Sequence, residues 1–244
     1  MSKTRIYPIV NILIFLLCLF INFKSATGEL GGKSIRELSD KYSNLFTPSN
    51  QTFAIWSLIY LLLTAVLISQ FTKKFNHPIL NTPLFLFSCI LNFSWILFWQ
   101  SELIGISLLV MIGLLSCIGV INYKLQDQKQ WLLNVSFGIY LGWICIATIA
   151  NVTTFLQSIE MNLNIEIQKI VSIIIIATGT VIITWVMKKT KNPFLCIAAA
   201  WAFYGIHSKR IDDYPSIAYT AIFCGVIIIF FGVKQTNKLF KPIP

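Results

Sequence analysis

The sequence predicts an all-α integral membrane protein of about eight transmembrane helices, and three observations carry that prediction. Of 244 residues, 56% are hydrophobic and only 11% are charged, whereas a soluble domain carries about a quarter charged residues. The mean hydropathy is +0.75. The apolar residues fall into runs near the ~20 residues that cross a bilayer core, and short lysine-rich clusters separate them.

Taken in order, the runs are 7–23, 52–71, 83–100, 103–123, 132–156, 168–187, 193–207 and 215–233, with the first and seventh on the short side. Lys3 and Arg5 precede the first run and Ser25-Ala26-Thr27-Gly28 follow it. Such flanks suit a cleaved signal peptide as well as a retained helix. The longest polar stretch is Lys24–Gln51. It reads as a flexible Ser- and Gly-rich start over 25–34, then a short helix from about Ile35 to Asn44 with Ser39 and Asp40 as candidate caps. Neither an internal repeat nor a soluble domain is visible.

Charge sets the expected orientation. If eight helices alternate, one side collects Lys3, Arg5, Lys73, Lys74, Lys124, Lys129, Lys188, Lys189, Lys191, Lys234, Lys238 and Lys241, with Asp127 as its only acid. The other side keeps the remaining seven cations and eight acids. The positive-inside rule then puts both termini in the cytoplasm, and the expected location is the plasma (inner) membrane. The net charge of +10 is thus a topology signal, and no nucleic-acid partner is expected. The six cysteines (Cys18, Cys89, Cys117, Cys145, Cys196, Cys224) all lie inside apolar runs without paired spacing, as small buried hydrophobes do.

Three helical faces stand out. Tyr140, Trp143, Ala147 and Asn151 lie at offsets 0, 3, 7 and 11, so one face of a helix carries them all. Asn92, Trp95 and Trp99 share a face at offsets 0, 3 and 7, and Pro48 precedes a helix in which Trp56 sits four residues before Tyr60. A carboxamide in hydrocarbon needs a partner or a cavity, so these faces should point inward. An aromatic stripe at helical spacing is usually core. Three such faces, each with a polar handle, fit a mostly apolar pocket with a few placed hydrogen-bonding groups. Trp131 and Trp185 lie near span ends, where an interfacial belt explains them.

The order and spacing W-x-x-x-Y, N-x-x-W, Y-x-x-W-x-x-x-A-x-x-x-N after a proline-bearing loop resemble the TspO/MBR family, the tryptophan-rich sensory proteins and their translocator relatives. The motifs cover roughly residues 7–157. The resemblance implies a five-helix bundle over 1–157, with 158–244 supplying three additional transmembrane helices. It further implies a ligand cavity lined by Trp56, Tyr60, Asn92, Trp95, Trp99, Tyr140, Trp143, Ala147 and Asn151, with the loop at Pro48 closing it. The sequence departs from the family where Thr47-Pro48 stands in place of a double proline and the usual K-P-x-W approach is missing. By resemblance the ligand is a hydrophobic ring system, a tetrapyrrole (porphyrin or haem) or a sterol-like lipid, bound by a sensor or carrier. The expected partners are the lipid bilayer, this small molecule and, as an option, a second copy of the chain.

Competing readings have weaker support. A small-solute transporter would show broken helices or repeats, and no charged residue sits at the middle of a span, against ion-coupled transport. An intramembrane enzyme acting on porphyrins lacks a nucleophile–base pair, so no catalytic residue is assigned. The two histidines, His77 in a basic loop and His207 at a span end, fall on opposite faces and make a poor metal site; His77 reads as solvated. Lys209, Arg210, Asp212 and Asp213 read as a solvated turn before Pro215.

Overall fold

A computed structural model of the chain describes residues 6–42, 44–72, 77–127, 130–159 and 164–239. Every apolar run becomes a helix: α1 (Ile6–Ala26), then, after the short loop helix α2 (Ile35–Lys41), α3 (Ile55–Ser69), α4 (Leu84–Gln100), α5 (Ile104–Leu125), α6 (Trp131–Ser158), α7 (Ile165–Thr190), α8 (Leu195–Arg210) and α9 (Pro215–Leu239). Two 3-10 turns, Asn50–Ala54 and Pro78–Asn81, lead into α3 and α4. Among the described residues, six helices are long and apolar enough to cross a membrane, counting α3 with its leading turn. α4 has 17 residues and α8 has 16. The first run is not short, since α1 extends to 21 residues. The fold is all-α, as expected of an integral membrane helix bundle.

The cap of α2 differs from expectation. Ser34, not Ser39 or Asp40, caps the helix: its hydroxyl accepts from Glu37 N at 3.3 Å, and the Glu37 carboxylate accepts from Ser34 N at 2.6 Å. A Ser-x-x-Glu capping box satisfies two otherwise orphaned donors at once, which fixes the helix start. Ser39 and Asp40 therefore fall inside the helix.

α6 is the central helix, packed against α3, α5, α7 and α8. Glycine makes its close approach to α8 possible. A Cβ on Gly142 would overlap the Leu195 carbonyl, and one on Gly138 would press on Asn192 and Phe194. Small residues at such crossings let helices meet backbone to backbone where lipid supplies no hydrophobic drive. Buried asparagines add polar ties. Asn11 donates to Leu80 O at 2.9 Å, Asn122 to Phe137 O at 2.9 Å, and Asn192 to both Asn122 Oδ1 (2.9 Å) and Asn134 O (2.8 Å).

The connections sort to two ends. One gathers the α5–α6 and α7–α8 turns, joined by the Lys191–Asp127 ion pair at 2.8 Å. The other gathers the 27–54 loop, the α4–α5 turn and the end of α8, joined by Lys41–Glu102 and by Lys209–Asp40 at 3.3 Å. Alternation is therefore as read from the sequence. Of the cations counted for orientation, Lys3, Arg5, Lys73, Lys74, Lys129, Lys241 and the side chain of Lys238 lie outside the described residues.

His77 departs from the solvated loop position expected of it. It is buried rather than solvated, and its Nδ1 accepts from Ile79 N at 3.1 Å. A side-chain acceptor at a helix start satisfies a donor with no intrahelical partner, which holds the ring down over the Pro78–Asn81 turn.

A tryptophan pocket under a latched loop

Trp56 sits at the centre of an aromatic cluster. Its ring stacks on Tyr60 (centroids 5.4 Å apart, 18° between planes) and on Trp95 (6.3 Å, 27°), and meets Tyr140 and Trp143 edge-on at 6.0 Å. Trp95 leans on Trp99 at 5.9 Å, and Phe53 meets Trp143 edge-on at 6.0 Å. Both arrangements are the favoured geometries of aromatic pairs.

On one side of this cluster lies a cavity of about 40 Å³, bordered by Trp56, Trp95, Trp99, Trp143, Ala147 and Asn151, with Pro48 in its roof. Seven of the ten residues singled out in the sequence thus meet at one cavity. Asn151 uses its carboxamide within the protein: Oδ1 accepts from Trp95 Nε1 at 3.0 Å and Nδ2 donates to Ala147 O at 2.8 Å. It fixes the Trp95 ring in place. Trp99 and Trp143 have buried indole N–H groups with no hydrogen-bond partner among the described residues.

The other three form a separate polar knot. Asn92 donates to the Tyr140 hydroxyl at 3.0 Å, and its Oδ1 accepts from Asn22 Nδ2 at 3.0 Å and Cys18 Sγ at 3.3 Å. Tyr60 donates to Asn22 Oδ1 at 2.5 Å. The knot ties α1, α3, α4 and α6 together below the aromatic cluster and does not border the cavity.

Sequence reasoning missed several lining residues. Ala150 and Thr154 border the cavity, and they continue the Ala147–Asn151 face by the i+3 and i+4 rule. Phe53, Ile35 and Ser39 come from the loop and α2, where no periodicity marks them.

The largest surprise is what holds the loop shut. Arg210, at the end of α8, is buried rather than solvated, its Nη2 donating to Asn44 O at 2.6 Å and its Nε to Leu45 O at 3.2 Å. A buried guanidinium requires acceptors, and these loop carbonyls supply them. Ser49 N donates to Gly205 O at 3.0 Å and Trp201 Nε1 to Thr52 O at 2.9 Å. Gly205 admits the loop, since a Cβ there would overlap the Thr52 side chain. On the far side Glu102 accepts from Tyr42 at 2.7 Å and pairs with Lys41. That Lys41 hydrogen bond, and then the one from Tyr42, hold the Glu102 carboxyl below its ordinary range.

Elsewhere, Trp131 and Trp185 are 62% and 59% exposed, apart from the pocket. His207 Nδ1 lies 3.2 Å from Ala218 O. Among the described residues no three His, Cys, Asp or Glu side chains are grouped to hold a metal ion.

Comparison with curated proteins and with solved structures finds no match. The TSPO-like protein family matches residues 8–233. The match runs beyond the motif-bearing segment and takes in α7, α8 and most of α9, including the residues that latch the loop. Over that span the chain belongs to the TSPO-like protein family.

Proposed function

We propose that this membrane protein binds a hydrophobic ring-system molecule, a tetrapyrrole or a sterol-like lipid, between its tryptophan cluster and the 44–54 loop, as a sensor or carrier. The observation that carries the reading is the pair of unpartnered indole donors. Trp99 and Trp143 each bury an N–H beside the cavity, and an unmet buried donor costs about 1–3 kcal/mol. A ligand with an acceptor at its edge and a flat apolar body would satisfy these donors and stack on the rings.

The closed cavity is too small for such a guest. Ligand pockets run to about 300–1,000 Å³, and 40 Å³ holds one or a few waters. Binding therefore requires the loop to lift or Trp56 to swing, and the α8 latch sets the cost of lifting. Both termini are placed in the cytoplasm on the cation asymmetry. The test is direct titration of the purified protein with a porphyrin, a sterol and a carotenoid, read by tryptophan quenching. Saturable quenching that Trp143→Leu weakens supports the pocket. Quenching by none of the three rejects it.

A further inference from the structure

A second concavity lies on the other side of Trp56, between α1 and α3. It measures about 290 Å³ and is lined by two facing stripes: Leu19, Asn22, Phe23 and Ala26 on α1, and Phe53, Trp56, Ser57 and Tyr60 on α3 and its leading turn. Each stripe is spaced i, i+3, i+4, i+7, so each is one helical face. The groove runs about seven residues along the helices, roughly 10 Å at 1.5 Å per residue. Its flanks are lipid-facing, with Phe20 and Phe23 of α1 and Leu61 of α3 all more than half exposed.

Its two ends differ chemically. The deep end carries the Asn22–Tyr60 hydrogen bond, whose polar atoms are already partnered. Ser34, Ile35 and Arg36 form the mouth, at the water-facing end of α1. Arg36 is exposed and has no partner among the described residues, because each neighbouring acid is engaged elsewhere. Glu29 pairs with Lys24, Glu37 caps Ser34, Asp40 accepts from Asn50 and Lys209, and Glu102 pairs with Lys41. The arrangement is an apolar trough flanked by exposed apolar side chains, with the Arg36 guanidinium at its mouth. Guanidinium groups pair in fork geometry with carboxylates and phosphates alike, and a groove of about 290 Å³ takes one acyl chain rather than the two of a phospholipid.

We propose that the α1/α3 groove binds a single-chain carboxylate amphiphile, of the long-chain fatty-acid class. The chain lies against Leu19, Phe23 and Trp56 while the carboxylate meets Arg36. The groove lies on the opposite face of Trp56 from the ring-ligand cavity and shares Ile35, Phe53 and Trp56 with it.

Photolabelling tests this. The full chain in lipid nanodiscs is irradiated with diazirine-bearing palmitate and the labelled peptides are mapped by mass spectrometry. Labels should concentrate in residues 19–26 and 53–60. Free palmitate should compete and methyl palmitate should not, and Arg36→Gln should lower labelling roughly tenfold, the loss of one charge-assisted contact. Ser57→Trp, which fills the trough, should abolish labelling there. Labels spread evenly over the outward faces of α5 and α9 would mean bulk lipid contact and overturn the site. Equal competition by methyl palmitate, or unchanged labelling in Arg36→Gln, would overturn the assigned carboxylate.

Discussion

Replacing Arg210 with glutamine should unlatch the loop while leaving the bundle folded. In the native protein Arg210 is 7% exposed, and its guanidinium donates to two carbonyls 165 and 166 residues away, Leu45 O at 3.2 Å and Asn44 O at 2.6 Å. Hydrogen bonds to charged groups contribute about 1.5–3 kcal/mol each. Glutamine can keep at most one weaker bond, and interfacial water recovers part of the rest. A net loss of about 2–3 kcal/mol in loop docking follows, which is roughly 30- to 150-fold in the opening equilibrium. Hydrogen exchange reads this directly, because local opening sets protection. Amides of Thr47, Ser49 and Thr52, which bond Asn44, Gly205 and Ser49 carbonyls, should exchange faster by that factor. Amides within α5 should not change. Lys209→Gln removes only an exposed pair with Asp40, so its effect should stay under about fivefold. Unchanged loop exchange in Arg210→Gln, or equal effects of the two substitutions, would refute the latch.

Other consequences are equally open to measurement. Gly142→Ala should cost about 1–3 kcal/mol and lower Tm, because its Cβ meets a backbone carbonyl of Leu195 that no side-chain rotation can relieve. Gly119→Ala, with nothing within 4 Å of the added Cβ, should be neutral or slightly stabilising. Acid should release α2 from the α4–α5 turn. The Glu102 carboxyl is held below its ordinary 4.5 by Lys41 and Tyr42, so its contribution is complete above 4.5 and is lost as pH falls through the lower folded value. Glu37, lowered by the Ser34 backbone N–H, shifts the same way, and Glu102→Gln should remove only part of the acid response of α2 exchange. On a cysteine-free background, a cysteine at Lys33 should react with an impermeant thiol reagent from outside, and one at Lys191 only after permeabilisation. The reverse pattern would invert the assigned orientation.

The fold was largely legible because the bilayer makes apolar run length a strong signal. All eight runs became helices with boundaries within three residues, except that α9 runs six residues further, to Leu239, and alternation followed from them. The pocket was legible to the extent that it is built from helical faces: Trp95 with Trp99, and Trp143, Ala147 and Asn151, repeat at i+4, and all five border the cavity. Tyr60, Asn92 and Tyr140 show the limit of that reasoning. They share the aromatic cluster's surroundings yet bond one another and α1, a choice that depends on rotamers and on Asn22 and Cys18, which no motif includes. Arg210 was beyond reach for another reason. A charged residue before a turn reads as solvated unless its partners are known, and these partners are carbonyls contributed by a loop at the opposite end of the sequence. The Ser34–Glu37 capping box is local and carried by its Ser-x-x-Glu spacing, yet the reading from sequence placed the cap at Ser39 or Asp40.

Whether the indole of Trp143 faces a bound ring system is decided by one paired titration. Porphyrin binding to the native chain is compared with Trp143→Leu and with Trp185→Leu, whose indole lies on the lipid-facing surface, 59% exposed. Isothermal calorimetry serves as readout so that losing a fluorophore does not mimic losing affinity. Leucine keeps apolar bulk and removes a flat aromatic face that contributes about 0.5–1.5 kcal/mol beyond burial, so Trp143→Leu should weaken binding roughly three- to tenfold and Trp185→Leu should leave it unchanged. Equal effects of the two substitutions, with both variants folded, would return Trp143 to a packing role.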